Sequence, residues 1–446
     1  MDTQTHIAQT ADERLIFRAI TLTFPVWFVG GLYLLAPVLG WILLLRLMQR
    51  KLARTRHDTP IAWPVYAWAI AMLLMLLALI VGHLTMELGL AKLIKSSIGW
   101  AKGWALLALF MFAANLSIRS EVIFRAACIV CKQTVLLLPL FVLAWLVRLP
   151  QTLWVSPTEL IGGPGPEFFS VSLYEIDPGS GNPRWRLFTP WAPALGMMGN
   201  LYFLCALEEK DPGYRRWGIV GSILMMLLSQ SRLAILCALV MLALRLFLAS
   251  FRHPWVYLLL APTSLLGGCV GGYLLERVSA TVQAVKSARA DSTRVREALG
   301  NIAVERWWNE AIVWGHGIVE RGPHMVEYMP IGSHHTWYGL LFVKGLIGAL
   351  ALGSAFICSF IQLAPHINRL PSARLGFSLL LMLLMYTFGE NLEILSYLFW
   401  PALILIGKAH QDCRKAVLQK AGCKMQSPRK NNTAKNLNNM KNNKKS

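Results

Sequence analysis

Apolar residues along this chain gather in runs of membrane-spanning length, separated by polar stretches. A bilayer core of about 30 Å takes about 20 apolar residues per helix. A window of that size finds spans near 19–46, 61–82, 99–117, 126–148, 191–208, 217–229, 232–249, 255–273, 336–361, 375–391 and 394–407. The first is long enough for one tilted helix or for two short ones broken near Gly30-Gly31, which gives eleven or twelve spans. The stretch 217–229 is short for a full crossing and is read as tilted or partly broken. The expected fold class is all-α, a polytopic membrane helix bundle. It comprises a polar N-terminal segment (1–18), a membrane domain (19–407) and a basic tail (408–446).

Two long polar stretches interrupt the pattern, at 149–190 and 274–335. The first carries Gly162-Gly163-Pro164-Gly165-Pro166, Asp177-Pro178-Gly179 and Asn182-Pro183, so it is expected to be irregular and turn-rich. The second is expected to hold a helix capped by Asp291 or Ser292 and running to about Trp314. Residues 426–446, rich in Asn and Lys, are expected to be disordered.

Composition agrees with the pattern. Hydrophobic residues make up 55% and charged residues 15%, against about 25% charged in soluble domains. The net charge of +20 raises the question of nucleic acid, but its placement answers it. The tail from Lys408 has eleven Lys/Arg and one acid, Asp412, and a second cluster (Arg46, Arg50, Lys51, Arg54, Arg56) follows the first apolar run. Basic residues at the ends of apolar segments mark the cytoplasmic face and attract anionic lipid, so the expected partner is a bilayer and not a nucleic acid. Arg119, Arg125, Arg215, Arg216, Arg252, Arg369 and Arg374 fall on that same face. Both long loops then lie opposite, on what is the periplasmic side in a Gram-negative cell; the side of the N-terminus is left open.

None of the eight cysteines lies in either long loop, so no disulfide framework is expected there. Cys128 and Cys131 form a C-x-x-C inside a span with no second pair, and are read as buried apolar thiols rather than metal ligands. No cleavable signal peptide is read, because positive charge rather than small residues follows the first apolar run.

The candidate chemistry lies in the loops. Val295, Leu299, Ile302, Asn309 and Val313 share one helical stripe with Arg306 at its centre. A guanidinium there needs an anionic ligand or partner, and the plain alternative is pairing with Glu305 or Glu310. His334 and His335, in Gly332-Ser333-His334-His335-Thr336-Trp337 at a span entrance, could accept protons near neutral pH. The plain alternative is a pair of interfacial histidines beside a belt tryptophan. His316 and His324 have no carboxylate or Cys at ligand spacing, so no metal site is expected. Arg184 and Arg186 precede a span, and Ser231-Arg232 sits at a turn where the positive-inside bias opposes arginine. Arginines converging on one face suit a diphosphate headgroup. Glu390, Asn391 and Glu393, in the last hairpin, could hold sugar hydroxyls or simply form a polar turn. Lys344 lies inside a span and is expected to face the bundle interior.

The run Ser333-His334-His335-Thr336-Trp337-Tyr338-Gly339-Leu340-Leu341-Phe342-Val343-Lys344-Gly345-Leu346-Ile347-Gly348 resembles the signature of the O-antigen ligases and O-antigen polymerases. That signature is His-Asn, an apolar run, an acid and Gly-Leu-Ile-Gly. Arg306-Trp307-Trp308 with Gly315-His316-Gly317 is similar to the Arg, Trp and Gly-x-Gly that precede it, and Ser229-Gln230-Ser231-Arg232-Leu233 to the family's Ser-Arg segment. The resemblance spans about 20–407. It implies a glycosyltransferase without metal or other cofactor, acting on an undecaprenyl diphosphate-linked glycan. The acceptor would be lipid A-core sugar (ligase, slightly favoured) or a second lipid-linked repeat (polymerase). His334 would take the histidine position and assist the attacking hydroxyl. Arg306, Arg232 and Arg186 (or Arg184) would hold the diphosphate, with His335 and Glu390 binding substrate. His335 in place of Asn and Lys344 in place of the acid depart from the pattern. The rival from another class is a lipid-linked-sugar transporter, which would place broken helices and ionisable groups near mid-membrane.

Overall fold

The computed structural model describes residues 8–53, 60–177, 181–250, 290–326, 328–332 and 334–442. The expected span 255–273, Arg54, Arg56, Arg252, Cys269, Ser333 and residues 274–289 lie outside them, as do the side chains of Asp291, Ser292 and Cys423.

The described chain is a helix bundle. In order come α1 (Ala11–Thr21), α2 (Thr23–Phe28), α3 (Leu32–Leu52), α4 (Trp63–Thr85), α5 (Leu90–Lys102), α6 (Trp104–Ala113) and α7 (Ser120–Leu146). After the first loop follow α8 (Ala192–Glu208), α9 (Pro212–Leu228) and α10 (Arg232–Ser250). The rest comprises α11 (Ala290–Glu310), α12 (Thr336–Leu363), α13 (Pro371–Tyr386) and α14 (Leu392–Asn442). Six stretches among the described residues are long and apolar enough to cross a membrane: α3, α4, α5–α6, α7, α12 with its short extension, and the first half of α14. The protein is a multi-pass membrane protein of the all-α class. Large side chains close the core, as where Phe110 stacks on Trp400 at 5.0 Å and Trp68 Nε1 donates to Ser359 Oγ at 2.8 Å.

Several boundaries differ from the sequence expectation. The segment 19–46 is broken at Gly30-Gly31 into α1–α2 and α3. Helix begins at Ala11, inside the segment expected to be polar, because Thr10 and Glu13 form a reciprocal capping box. The acids of that first turn are neutralised by Asp12 pairing with Arg46 (2.7 Å) and Arg50 (2.6 Å), and Glu13 with Arg119 (2.8 Å). The chain's first helix therefore starts at the basic end of the bundle. The expected span 99–117 is two helices that meet at Gly103. The span 394–407 and the tail join into one helix, Leu392–Asn442.

The first loop is more ordered than its glycines and prolines suggest. It holds two antiparallel ribbons, β1 (Thr152–Val155) with β2 (Ser170–Ser172), and β3 (Glu175–Ile176) with β4 (Pro183–Arg184). Helix α11 ends at Glu310, four residues before the expected Trp314. The chain must turn there to feed residues 312–317 into α12.

That insertion is the main departure from a simple bundle. Gly345 has φ 61° and ψ −161°, which breaks α12 inside an apolar span. A continuous helix would pair Leu346 N–H with Phe342 and Ile347 N–H with Val343. Here both donors reach the inserted segment instead, Leu346 to Ile312 O (2.9 Å) and Ile347 to Val313 O (3.3 Å). The two freed carbonyls accept from His316 N (2.8 Å) and Gly317 N (2.9 Å). These two amides and two carbonyls are thus satisfied inside the protein, as an apolar surrounding demands. The contact needs glycine on both sides. A Cβ on Gly315 (φ +71°) would lie 2.5 Å from the backbone of Lys344 and Gly345, and one on Gly345 would lie 2.3 Å from Val313 O.

Candidate functional site

At the last hairpin Trp191 Nε1 donates to Glu390 Oε2 at 2.8 Å, and Lys102 of α5 donates to Gly162 O of the first loop at 2.8 Å. A cavity of about 300 Å³ opens there, between α11 and the entrance of α12. Its walls include Arg296, Asn301, His334, His335, Tyr338 and Phe388. Gly300 lets the Tyr338 ring lie against α11, since a Cβ there would be 2.7 Å from Tyr338 Cε2. His335 caps α12 by accepting from Tyr338 N (3.3 Å), and its ring stacks on Tyr338 at 4.0 Å.

His334 is the chemical group that faces this space. No hydrogen bond within the described residues occupies its ring nitrogens. Burial, helped by the nearby Arg296 cation, pulls it from its ordinary 6.5 down to about 4. His335 is likewise lowered to about 4 by burial. Both imidazoles are therefore neutral at physiological pH. Glu390 is buried behind them; loss of solvent raises it to about 7, against the pull of Arg296, Trp191 and Arg184. The turn bearing Ser231-Arg232 reaches the same hairpin, where the Leu233 side chain fills the space beside Gly389. The structure thus brings His334, His335, Glu390 and Arg184 into one neighbourhood, with the exposed Arg232 on the adjoining turn.

Two of the expected diphosphate ligands are otherwise engaged. Arg186 is buried, paired with Glu175 at 3.1 Å, and donates to Ser170 Oγ (2.8 Å) and to Pro190 O. Burial lowers it and Glu175 opposes the shift. It holds the first loop together because a buried guanidinium must be matched by acceptors. Arg306 follows the plain alternative. It pairs with Glu310 (2.8 Å) and Glu320 (2.6 Å), which raise it; Glu305 is exposed and takes no such part. Glu310, held near 2 chiefly by Arg306, also meets His316 Nε2 at 2.8 Å, while His316 Nδ1 meets Phe342 O at 2.9 Å. Arg306, Glu310 and His316 clamp the inserted segment onto broken α12, and Arg306 does not line the cavity. Arg184 is partnered by Asp177 at 3.2 Å, at the rim of the first loop.

Sequence reasoning missed Arg296, Asn301, Tyr338 and Phe388. The spacing of Arg296 and Gly300, one helical turn apart, was the available signal for a cavity wall on α11. Among the described residues no three His, Cys, Asp or Glu side chains gather as a metal-holding group. The described cysteines, Cys128 and Cys131 included, are free. No family model matches the sequence, and no curated protein matches it.

Proposed function

We propose that this chain is a membrane glycosyltransferase of the O-antigen ligase or polymerase kind. It would move a glycan from undecaprenyl diphosphate to a sugar hydroxyl at the periplasmic face of the bacterial inner membrane. The observation that carries the reading is His334. A neutral imidazole whose nitrogens take no hydrogen bond among the described residues faces a cavity beside a guanidinium, at the junction of a membrane helix and a polar loop. A neutral imidazole can orient an attacking hydroxyl and take up its proton. The departing diphosphate needs cationic stabilisation, which Arg296, Arg184 and Arg232 supply from the surrounding elements in a site of low dielectric. Arg186 and Arg306 act at one remove, holding the two loops that frame the site.

The transporter reading draws on the break in α12 and on buried Lys344. Discontinuous helices in transporters offer their open ends to ions and substrates. Two amides and two carbonyls at the break of α12 are taken up by residues 312–317 and not offered to cargo, which favours the enzyme reading.

Glycan profiling of a deletion strain tests this reading. Wild type restores long surface glycan, whereas His334→Ala and Arg296→Ala do not. Accumulated carrier-linked chains in the deletion indicate a ligase, and single repeats on the acceptor indicate a polymerase. Normal glycan in both variants refutes the site.

A further inference from the structure

Phe388 is 61% exposed, in the hairpin between α13 and α14, yet the backbone that carries it is tied down on both sides. Thr336 N donates to Thr387 O (2.9 Å), Trp337 Nε1 to Thr387 Oγ1 (2.8 Å) and Thr336 Oγ1 to Glu390 O (2.7 Å). The ring is thereby held beside the first turn of α12. It stands nearly perpendicular to His335 (5.8 Å, 81°), which stacks in turn on Tyr338 (4.0 Å, 22°).

Single exposed apolar side chains are ordinary on a protein surface. This one lines the same cavity of about 300 Å³ as His334, and Tyr338 lines it too. The α11 side of that cavity is polar, with Arg296 and Asn301 both exposed. The Asn301 carboxamide makes no hydrogen bond among the described residues, and such a group offers two donors and an acceptor. Aromatic rings facing a few polar groups suit an amphipathic ligand. A pyranose with equatorial hydroxyls has that character, since its axial C–H bonds form an apolar face and its hydroxyls a polar rim. The volume is at the lower end for ligand sites, a size for one sugar ring.

Taking the class of ligand from the transferase reading, we infer that Phe388 and Tyr338 form the platform for the acceptor sugar. One C–H face of an equatorially hydroxylated pyranose packs on the rings, Asn301 holds its hydroxyls from α11, and the attacking hydroxyl is directed to His334.

The test reads binding without turnover. The full chain, purified in a detergent that contains no sugar, is mixed with methyl β-D-glucopyranoside, and NMR saturation is passed from the protein's aromatic protons to the ligand. In wild type the saturation falls on the ring protons of one face, and open-chain sorbitol, which has no fixed face, takes none. The dissociation constant rises roughly tenfold in Phe388→Leu and roughly threefold in Asn301→Ala. Phe388→Tyr, which keeps the ring, binds within about twofold of wild type. Melting midpoints of all three match wild type, because the substituted side chains are exposed. No transfer to the sugar, saturation spread over both faces, equal uptake of sorbitol, or wild-type affinity in Phe388→Leu overturns the platform. Any of these beside restored surface glycan leaves the transferase reading standing. One-faced binding lost in Phe388→Leu, in a chain that restores no glycan, sinks that reading and upholds the platform.

Discussion

The two ends of α11 each carry an arginine, and the two are used in opposite ways. Arg306, at the C-terminal end, is bound to Glu310 and Glu320 and spends its charge on holding residues 312–317 in the break of α12. Arg296, nearly three turns earlier, faces the cavity, and its charge is felt by His334 and Glu390. Apolar patterning drew notice to the first and gave no hint of the second. A charge within an apolar stripe is conspicuous because it has to be matched, and in this protein the match is internal. The arginine left for a ligand is the one on the wetter face.

The sharpest way to break the contrast is to remove the feature on which the Arg306 end depends. Gly315→Ala places a Cβ 2.5 Å from backbone and strains a left-handed residue. It is expected to cost at least about 3 kcal/mol, seen as lost folded yield and a lowered melting point in detergent. At the other end, His334→Ala and Arg296→Ala should each reduce glycan transfer by about 10²-fold or more. Their melting should stay within about 0.5 kcal/mol of wild type. A comparable loss of stability in Arg296→Ala would abolish the distinction between the two arginines. Arg306→Ala should do the reverse, costing about 1 kcal/mol in melting because its partners are partly exposed, with activity lost only in proportion to folded protein.

The smallest effect concerns pH. His334 is lowered to about 4 in the folded chain, so the folded state resists a proton that the unfolded state accepts from about 6.5 downward. Stability should be level above pH 6.5, decline toward pH 4 and level off below. His334→Gln should remove its share of that decline, under about 1 kcal/mol after solvent screening. Melting the pair at pH 7.5 and pH 5 checks this: the variant gains on wild type at pH 5. Glu390, raised to about 7, contributes in the opposite sense, losing stability as pH rises from 4.5 to 7.

Much of the architecture was legible because lipid imposes a simple rule, a run of apolar residues for each crossing. Boundaries from Trp63 to Leu146 and from Ala192 to Ser250 fall within a few residues of the hydropathy windows, apart from the break at Gly103 and the earlier starts of α5, α7 and α9. Less legible was whatever depends on two distant segments meeting. Gly345 reads as an ordinary helix glycine until Gly315 is beside it. The ribbons of the first loop, only two to four residues per strand, are too short for periodicity to show. Of the site, His334, His335 and Glu390 were found through residue type and loop position. Arg296 was not, since a lone arginine on an amphipathic surface looks like any solvated charge.

The inserted segment has a consequence for how the protein is made. Residues 312–317 leave the ribosome before α12, and the four hydrogen bonds at the break form only when the two segments meet. Until they meet, α12 has two carbonyls before its break and two amides after it with no partner in a hydrocarbon setting. Completion of that helix therefore waits on docking of the segment before it. A chain whose preceding loop is delayed would be left with a half-inserted, exposed helix that quality-control proteases can recognise.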